Sequence, residues 1–172
     1  MRAREADRLA DGISFRMATQ HDYKATVTWT GASNGPTTSY QAYSREYEFQ
    51  SPNKPTVRGS ADPHFRGDAT RYNPEELLVV ALSTCHLLSY LADCARAGVH
   101  VVAYEDDANG TMTLQNGTMR FSDVLLRPRV TVAPGTDVAK AHALHESAHH
   151  ECFIANSVNF PVRHDATIVV AS

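Results

Sequence analysis

Three cysteines in 172 residues are too few, and of the wrong parity, to staple a scaffold. Such a small odd number points to reactive or buried thiols in a reducing compartment. Charge of one sign is also scarce. Sixteen Lys and Arg against nineteen Asp and Glu leave a formal net charge of -3, which offers no general attraction to nucleic acid or anionic lipid. No uninterrupted apolar run reaches the roughly 20 residues of a bilayer span, and the Arg-rich start, Met1 to Arg16, lacks the apolar centre of a secretion signal. Repeats and low-complexity tracts are missing too. A chain with 42% hydrophobic and 20% charged residues, of a length that suits one core, is therefore expected in the cytosol with neither membrane nor nucleic acid as partner.

Residues 1–20 are charged and weakly patterned and read as a mobile tail or arm, leaving 21–172 as a single domain. From Asp22 the chain alternates. Tyr23, Ala25, Val27 and Trp29 share one face and Lys24, Thr26, Thr28 and Thr30 the other, which predicts a strand with one buried face. A turn over Gly31 to Pro36 leads to a second β-rich run, Ser39 to Phe49, and the two are expected to pair as a hairpin. Ser51 to Tyr72, with Pro52, Pro55, Gly59, Pro63 and Gly67, reads as a long ordered loop.

Asn73, Pro74 and Glu75 supply a cap, a first-turn proline and an acid at the positive end of a helix dipole. The helix they start runs to Gly98 and is apolar nearly all round, so it is expected at the centre of the fold. Two β-like runs follow, Val99 to Leu114 and Thr118 to Ala133, joined by the tight-turn signal Asn116-Gly117. Val138, Ala141, Leu144, Ala148 and Cys152 recur at helical steps and mark a second helix from Thr136 to about Glu151. A last strand, Ala166 to Ala171, completes an α+β layout in β-β-α-β-β-α-β order.

Chemistry concentrates on the thiols. Cys85 sits mid-helix among Ala81, Ser83 and Thr84, small neighbours that leave the sulfur approachable. A thiol attacks only as thiolate, so a nucleophilic Cys85 needs a nearby cation, and without one it is a buried structural residue. Asn73-Pro74-Glu75-Glu76-Leu77-Leu78, then seven further residues to Cys85, resembles the signature helix of the osmotically inducible protein C (OsmC) and organic hydroperoxide resistance proteins. The resemblance continues through Ala61-Asp62-Pro63-His64-Phe65-Arg66-Gly67 and His149-His150-Glu151-Cys152-Phe153-Ile154-Ala155-Asn156-Ser157, leaving out only the first twenty or so residues.

That resemblance implies an OsmC-like fold of antiparallel sheets packed on long central helices, in an intertwined homodimer. It also implies a thiol peroxidase that turns organic hydroperoxides into alcohols. Cys85 would be the peroxidatic and Cys152 the resolving cysteine, tuned by an arginine and by Glu75. Arg66 best fits the arginine position, with Arg45 and Arg71 as alternatives. The implied cycle needs no metal or organic cofactor. It uses an external dithiol, such as one of lipoyl type, to reduce the Cys85-Cys152 disulfide. Two positions depart from the family pattern: His86 follows Cys85, where it could carry protons, and Phe153 follows Cys152.

Other residues read more plainly. Cys94 lies about half a turn out of phase with Cys85 and is expected in the core. His142, His145 and His149 share a face of the second helix with no carboxylate or cysteine spacing to complete a ligand set, so a hydrophilic face is expected there rather than a metal. Tyr40, Tyr43 and Tyr47 read as sheet residues. A thiol redox sensor or binding module without efficient turnover would use the same cysteines.

Overall fold

The computed structural model describes residues 20–172, so the expected N-terminal tail lies outside the described residues. Strand β1 (Thr26–Trp29) pairs antiparallel with β2 (Tyr47–Gln50), Val27 opposite Phe49, and β2 pairs with β3 (Val57–Gly59). The expected hairpin is present, with an added strand from the Pro/Gly-rich loop. That loop then closes tightly. Asp62 caps a short 3-10 turn by accepting from the His64 amide, and Gly67 N–H donates back to the Asp62 carbonyl at 3.0 Å. A Cβ on Gly67 would lie 1.5 Å from the Ala61 carbonyl oxygen, so only glycine fits.

Helix α1 (Pro74–Ala97) begins with a full capping box. Asn73 Oδ1 accepts from the Glu76 amide at 2.8 Å, and the Glu76 carboxylate accepts from the Asn73 amide at 3.3 Å. It ends on Gly98, whose φ of 71° suits a left-handed cap. Beyond it come β4 (Val101–Asp106), β5 (Asn109–Gln115), β6 (Thr118–Leu126), β7 (Pro128–Val132), α2 (Val138–Glu151), β8 (Val162–His164) and β9 (Thr167–Val170). Asn116 and Gly117, both at positive φ, close the β5–β6 hairpin as expected.

The layout is α+β, with more strands than the seven-element order anticipated. Each of the two central β-like runs breaks in two, so β4 pairs with β7 and β5 with β6. The sheets are also not purely antiparallel: β8 runs parallel to β6 and β9 parallel to β7.

Two apolar clusters hold the fold. Tyr90, Cys94, Val99, Val130, Val132, Ala141 and Ala148 pack between the helices and the β4-β7-β9 sheet, and Cys94 is a core residue as expected. Leu82, Val124 and Leu126 pack under Leu78, Phe121 and Phe160. Ser83 Oγ donates to Asp106 Oδ2 at 2.6 Å and ties α1 to β4, while Asp106 Oδ1 accepts the Arg127 amide at 2.7 Å.

Within one chain α1 packs on α2 and β4 and, through Leu78, Val79 and Leu82, on the β5-β6-β8 side, which leaves one face of the helix uncovered. Leu88 is 67% exposed, with Val80 and Leu91 beside it. By length and composition α1 could cross a membrane, yet its covered side carries the buried polar groups His86 and Asp93. The face of β1 expected to be buried is open: Tyr23 is 90% and Val27 66% exposed. The β1-β2-β3 sheet packs on itself and on the 3-10 turn after β1.

Candidate active site

Cys85 stands in the fourth turn of α1, half-buried, and Cys152 caps the C-terminus of α2 at 1% exposure. The packing of α1 on α2 brings the two thiols within hydrogen-bonding reach, and both are free. Burial, joined by the neighbouring Cys85 thiol, pushes the Cys152 thiol up to about 11, against the pull of backbone N–H donors from Ala155 and Ile154. The Ala155 amide is 3.4 Å from the sulfur.

The residues after Cys152 fix it in place. Asn156 Nδ2 donates to the carbonyls of His150 and Cys152 at 2.8 and 3.1 Å, and Ser157 Oγ donates to the Phe153 carbonyl at 2.7 Å. A short turn at Ala155–Ser157 is thus pinned around the sulfur.

A second feature lies at the start of α1. Trp29, Tyr43, Arg45, Tyr47, Phe65 and Glu75 line a cleft of about 380 Å³. Glu75 Oε2 is buried without a hydrogen-bond partner. Its charge, with that of Glu76, adds to burial in pushing the Tyr47 phenol up. The Arg45 guanidinium lies over the Tyr43 ring, 3.8 Å from its centre, and donates to the carbonyls of Tyr40 and Tyr43.

Arg66 does not line this cleft. It is exposed at the left-handed end of the Pro63–Phe65 turn, with φ of 67°. Arg71 is held by Glu46 and Asp68 at 3.0 and 3.2 Å. Among the three arginines weighed from the sequence, the structure brings Arg45 to the cleft of Glu75. Of the apolar residues expected around the sulfur, Phe65 lines this cleft, Leu82 is buried in the core and Phe153 is 72% exposed. Glu75 and Cys85 are ten positions apart on α1, about 15 Å along its axis, so cleft and thiols are separate within one chain.

A third feature escaped the sequence reading. His86, next to Cys85, is fully buried, and its Nε2 meets His145 Nδ1 of α2 at 3.0 Å. The rings are 9° from parallel with centres 5.3 Å apart. The 2.3 Å by which that exceeds the N···N contact is two ring radii, so the imidazoles meet end to end in a hydrogen bond rather than face to face. His145 stacks on Tyr90 at 3.8 Å, and His164 of β8 lies 5.4 Å from His86 and 5.7 Å from His149. The face carrying His142, His145 and His149 is therefore not simply hydrophilic: His142 is exposed, His149 half-buried and His145 sealed. Its sequence signal was position, since His145 lies four residues after Ala141 and three before Ala148, both core residues. Burial holds His86 down to about 4 and His145 to about 3, so both are neutral imidazoles near pH 7. No three His, Cys, Asp or Glu side chains among the described residues are arranged to hold a metal ion.

Residues 67–167 match the family model of OsmC-like proteins. The chain belongs to that family. An OsmC-like protein of unknown function from Vibrio cholerae is 30% identical, with a TM-score of 0.79 over 86% of this chain and all of that one. An organic hydroperoxide resistance protein from Elizabethkingia anophelis shares the fold, with a TM-score of 0.66 over 90% of this chain and all of that one, at 20% identity. The Bacillus subtilis protein YmaD, described as uncharacterized, is 28% identical over 89 residues, which is half of this chain and 59% of YmaD's length. The OsmC-like fold expected from the signature helix is thus the one observed.

Proposed function

We propose that this OsmC-like protein is a cytosolic thiol peroxidase that reduces organic hydroperoxides to alcohols. The observation that carries the reading is the meeting of Cys85 and Cys152, one half-open on α1 and the other sealed on α2. In the cycle, the Cys85 thiolate attacks the distal peroxide oxygen. The O–O bond breaks, the alkoxide takes a proton and leaves as alcohol, and Cys85 becomes sulfenic acid. Cys152 then attacks that sulfur. The S–O bond breaks, water leaves, and the resulting disulfide is returned to two thiols by an external dithiol such as a lipoyl-type donor. The membership of organic hydroperoxide resistance proteins in the same fold supports the substrate class.

The arginine that favours thiolate and orients the peroxide is Arg45, which shares with Glu75 a mainly aromatic cleft suited to an organic group. Because that cleft is about 15 Å of helix from Cys85, a second copy of the chain supplies it, in an intertwined homodimer. The open face of β1 and the uncovered side of α1 support this assembly.

The test is steady-state reduction of cumene hydroperoxide by dithiothreitol or a dihydrolipoyl donor. Many turnovers per chain are expected. A single stoichiometric oxidation followed by slow re-reduction would replace the enzyme with a redox sensor.

A further inference from the structure

The resolving step poses a proton problem. Cys152 is sealed from water, its burial favours the thiol, and a thiol does not attack a sulfenic acid sulfur. Once the proton is gone the anion is provided for, because the Ala155 amide already points at the sulfur from 3.4 Å. What the site needs is a base beside Cys152.

Three buried ring nitrogens in the adjoining imidazole cluster have no hydrogen-bond partner: His86 Nδ1, His145 Nε2 and His149 Nδ1. A buried polar atom without a partner is costly, and three in one cluster call for a use. His86 and His145 are tied to each other and stay neutral well below pH 7, which makes them poor bases there. His149 is half-buried and stands three residues before Cys152, whose amide donates to its carbonyl at 3.3 Å, so the two side chains share a helix face. Beside it His164 Nε2 is 3.5 Å from Glu146 Oε1 at the surface; burial lowers His164, and the Glu146 carboxylate only partly offsets it.

Resting on the peroxidase reading, we propose that His149 is the general base of the resolving step. It takes the Cys152 proton as the S–S bond forms and returns it to the hydroxide leaving Cys85, so that one water is released and no net proton is consumed. His164, 5.7 Å from His149, acts as a positioning residue backed by His86 and His145. The other charged or titratable groups near this end of α2 are Glu146, His142 and Asp165 beside His164, Glu151 bound at 2.9 Å to Arg96, which also holds Asp93, and the exposed His150.

The experiment gives reduced full-length protein one equivalent of cumene hydroperoxide in a rapid-quench apparatus. Cys85 sulfenic acid is trapped with dimedone, and the disulfide is followed by mass spectrometry from pH 6 to 10. Wild type should form the disulfide with little dimedone adduct. His149→Gln should oxidise at Cys85 but accumulate the adduct, with disulfide formation at least tenfold slower at pH 7, recovering as pH rises toward the range of the Cys152 thiol itself. Added imidazole should restore part of the rate.

Equal disulfide rates at pH 7, or a defect in His149→Gln that persists at every pH and ignores imidazole, would overturn the assignment and leave the peroxidase reading intact. Failure of wild type to oxidise at Cys85 would remove both. Should the variant not fold, wild type alone decides: its disulfide rate should level off below the range of the Cys152 thiol, and a tenfold rise per pH unit up to that range would exclude a base. One equivalent of zinc or cobalt bound through these histidines would also overturn it, since a liganded imidazole cannot shuttle protons.

Discussion

Arg45 and Glu75 line one cleft, yet the guanidinium is turned to the Tyr40 and Tyr43 carbonyls and Glu75 Oε2 is left buried and unpaired. A buried carboxylate oxygen with an arginine lining the same cleft is a partner waiting for a rotamer change, because pairing would offset its desolvation. Arg45→Ala should therefore lower kcat/KM for an organic hydroperoxide by about a hundredfold or more, the range expected when a fixed charge stabiliser is removed. Arg66→Ala, on an exposed turn outside the cleft, should stay within about twofold in the same assay, and a larger loss there would return the role to Arg66.

The thiols should separate in behaviour. Cys85→Ser should abolish turnover of cumene hydroperoxide, since no other thiol on α1 is approachable: Cys94 is buried in the core. Cys152→Ser should oxidise once and then stall as a Cys85 sulfenic acid or pass to higher oxidation states. Mass spectrometry of the two variants after a tenfold excess of peroxide distinguishes them, and a Cys85→Ser protein that turned over at wild-type rate would end the peroxidase assignment.

Acid should unfold the protein earlier than its carboxylates alone require. Burial depresses His86 to about 4 and His145 to about 3, and lowers His164 in the same direction. Unfolded chains protonate histidine near 6.5, so between that pH and the folded values the unfolded state binds more protons. This stability is full above about pH 6.5 and is lost as pH falls toward 4 and 3, each unit of depression being worth about 1.4 kcal/mol. Urea midpoints should be level from pH 8 to 7 and drop between 6.5 and 4. In a His86→Leu/His145→Leu protein, where both partners leave together, the slope should flatten.

What could be read from the chain beforehand was local. Asn73-Pro74-Glu75-Glu76 dictates its own capping box, and Asn116-Gly117 its own turn, because the groups involved are within a few residues of one another. Strand β3 was hidden in a Pro- and Gly-rich loop because its pairing with β2 is supplied from outside the segment. The parallel partners β6–β8 and β7–β9 leave no mark on periodicity, which is two in either direction. Cys85 and Cys152 were paired through a family resemblance, and only the packing of α1 on α2 gives that pairing a physical basis. Arg66 was preferred over Arg45 from its place in the loop before Glu75, a local measure, whereas the cleft that holds Arg45 is built by β1, β2 and the following loop folding back on the start of α1.

The last prediction concerns assembly. Strand β1 alternates as a half-buried strand should, yet Val27 is 66% exposed, and on α1 Leu88 is 67% exposed. Apolar surface of this kind calls for a cover, and light scattering at low micromolar concentration should give about twice the 18.9 kDa chain mass. A dimer by itself would not show a shared site, but complementation would. If the Arg45 cleft of one copy serves Cys85 of the other, Arg45→Ala and Cys85→Ser proteins, each inactive alone, should regain activity when unfolded and refolded together. Random pairing makes half of the dimers mixed, and each mixed dimer holds one site with both groups intact, so about a quarter of wild-type turnover is expected from closed two-fold symmetry. If each chain instead used its own arginine, every site in the mixture would lack one group, and the refolded mixture would stay as inactive as its components.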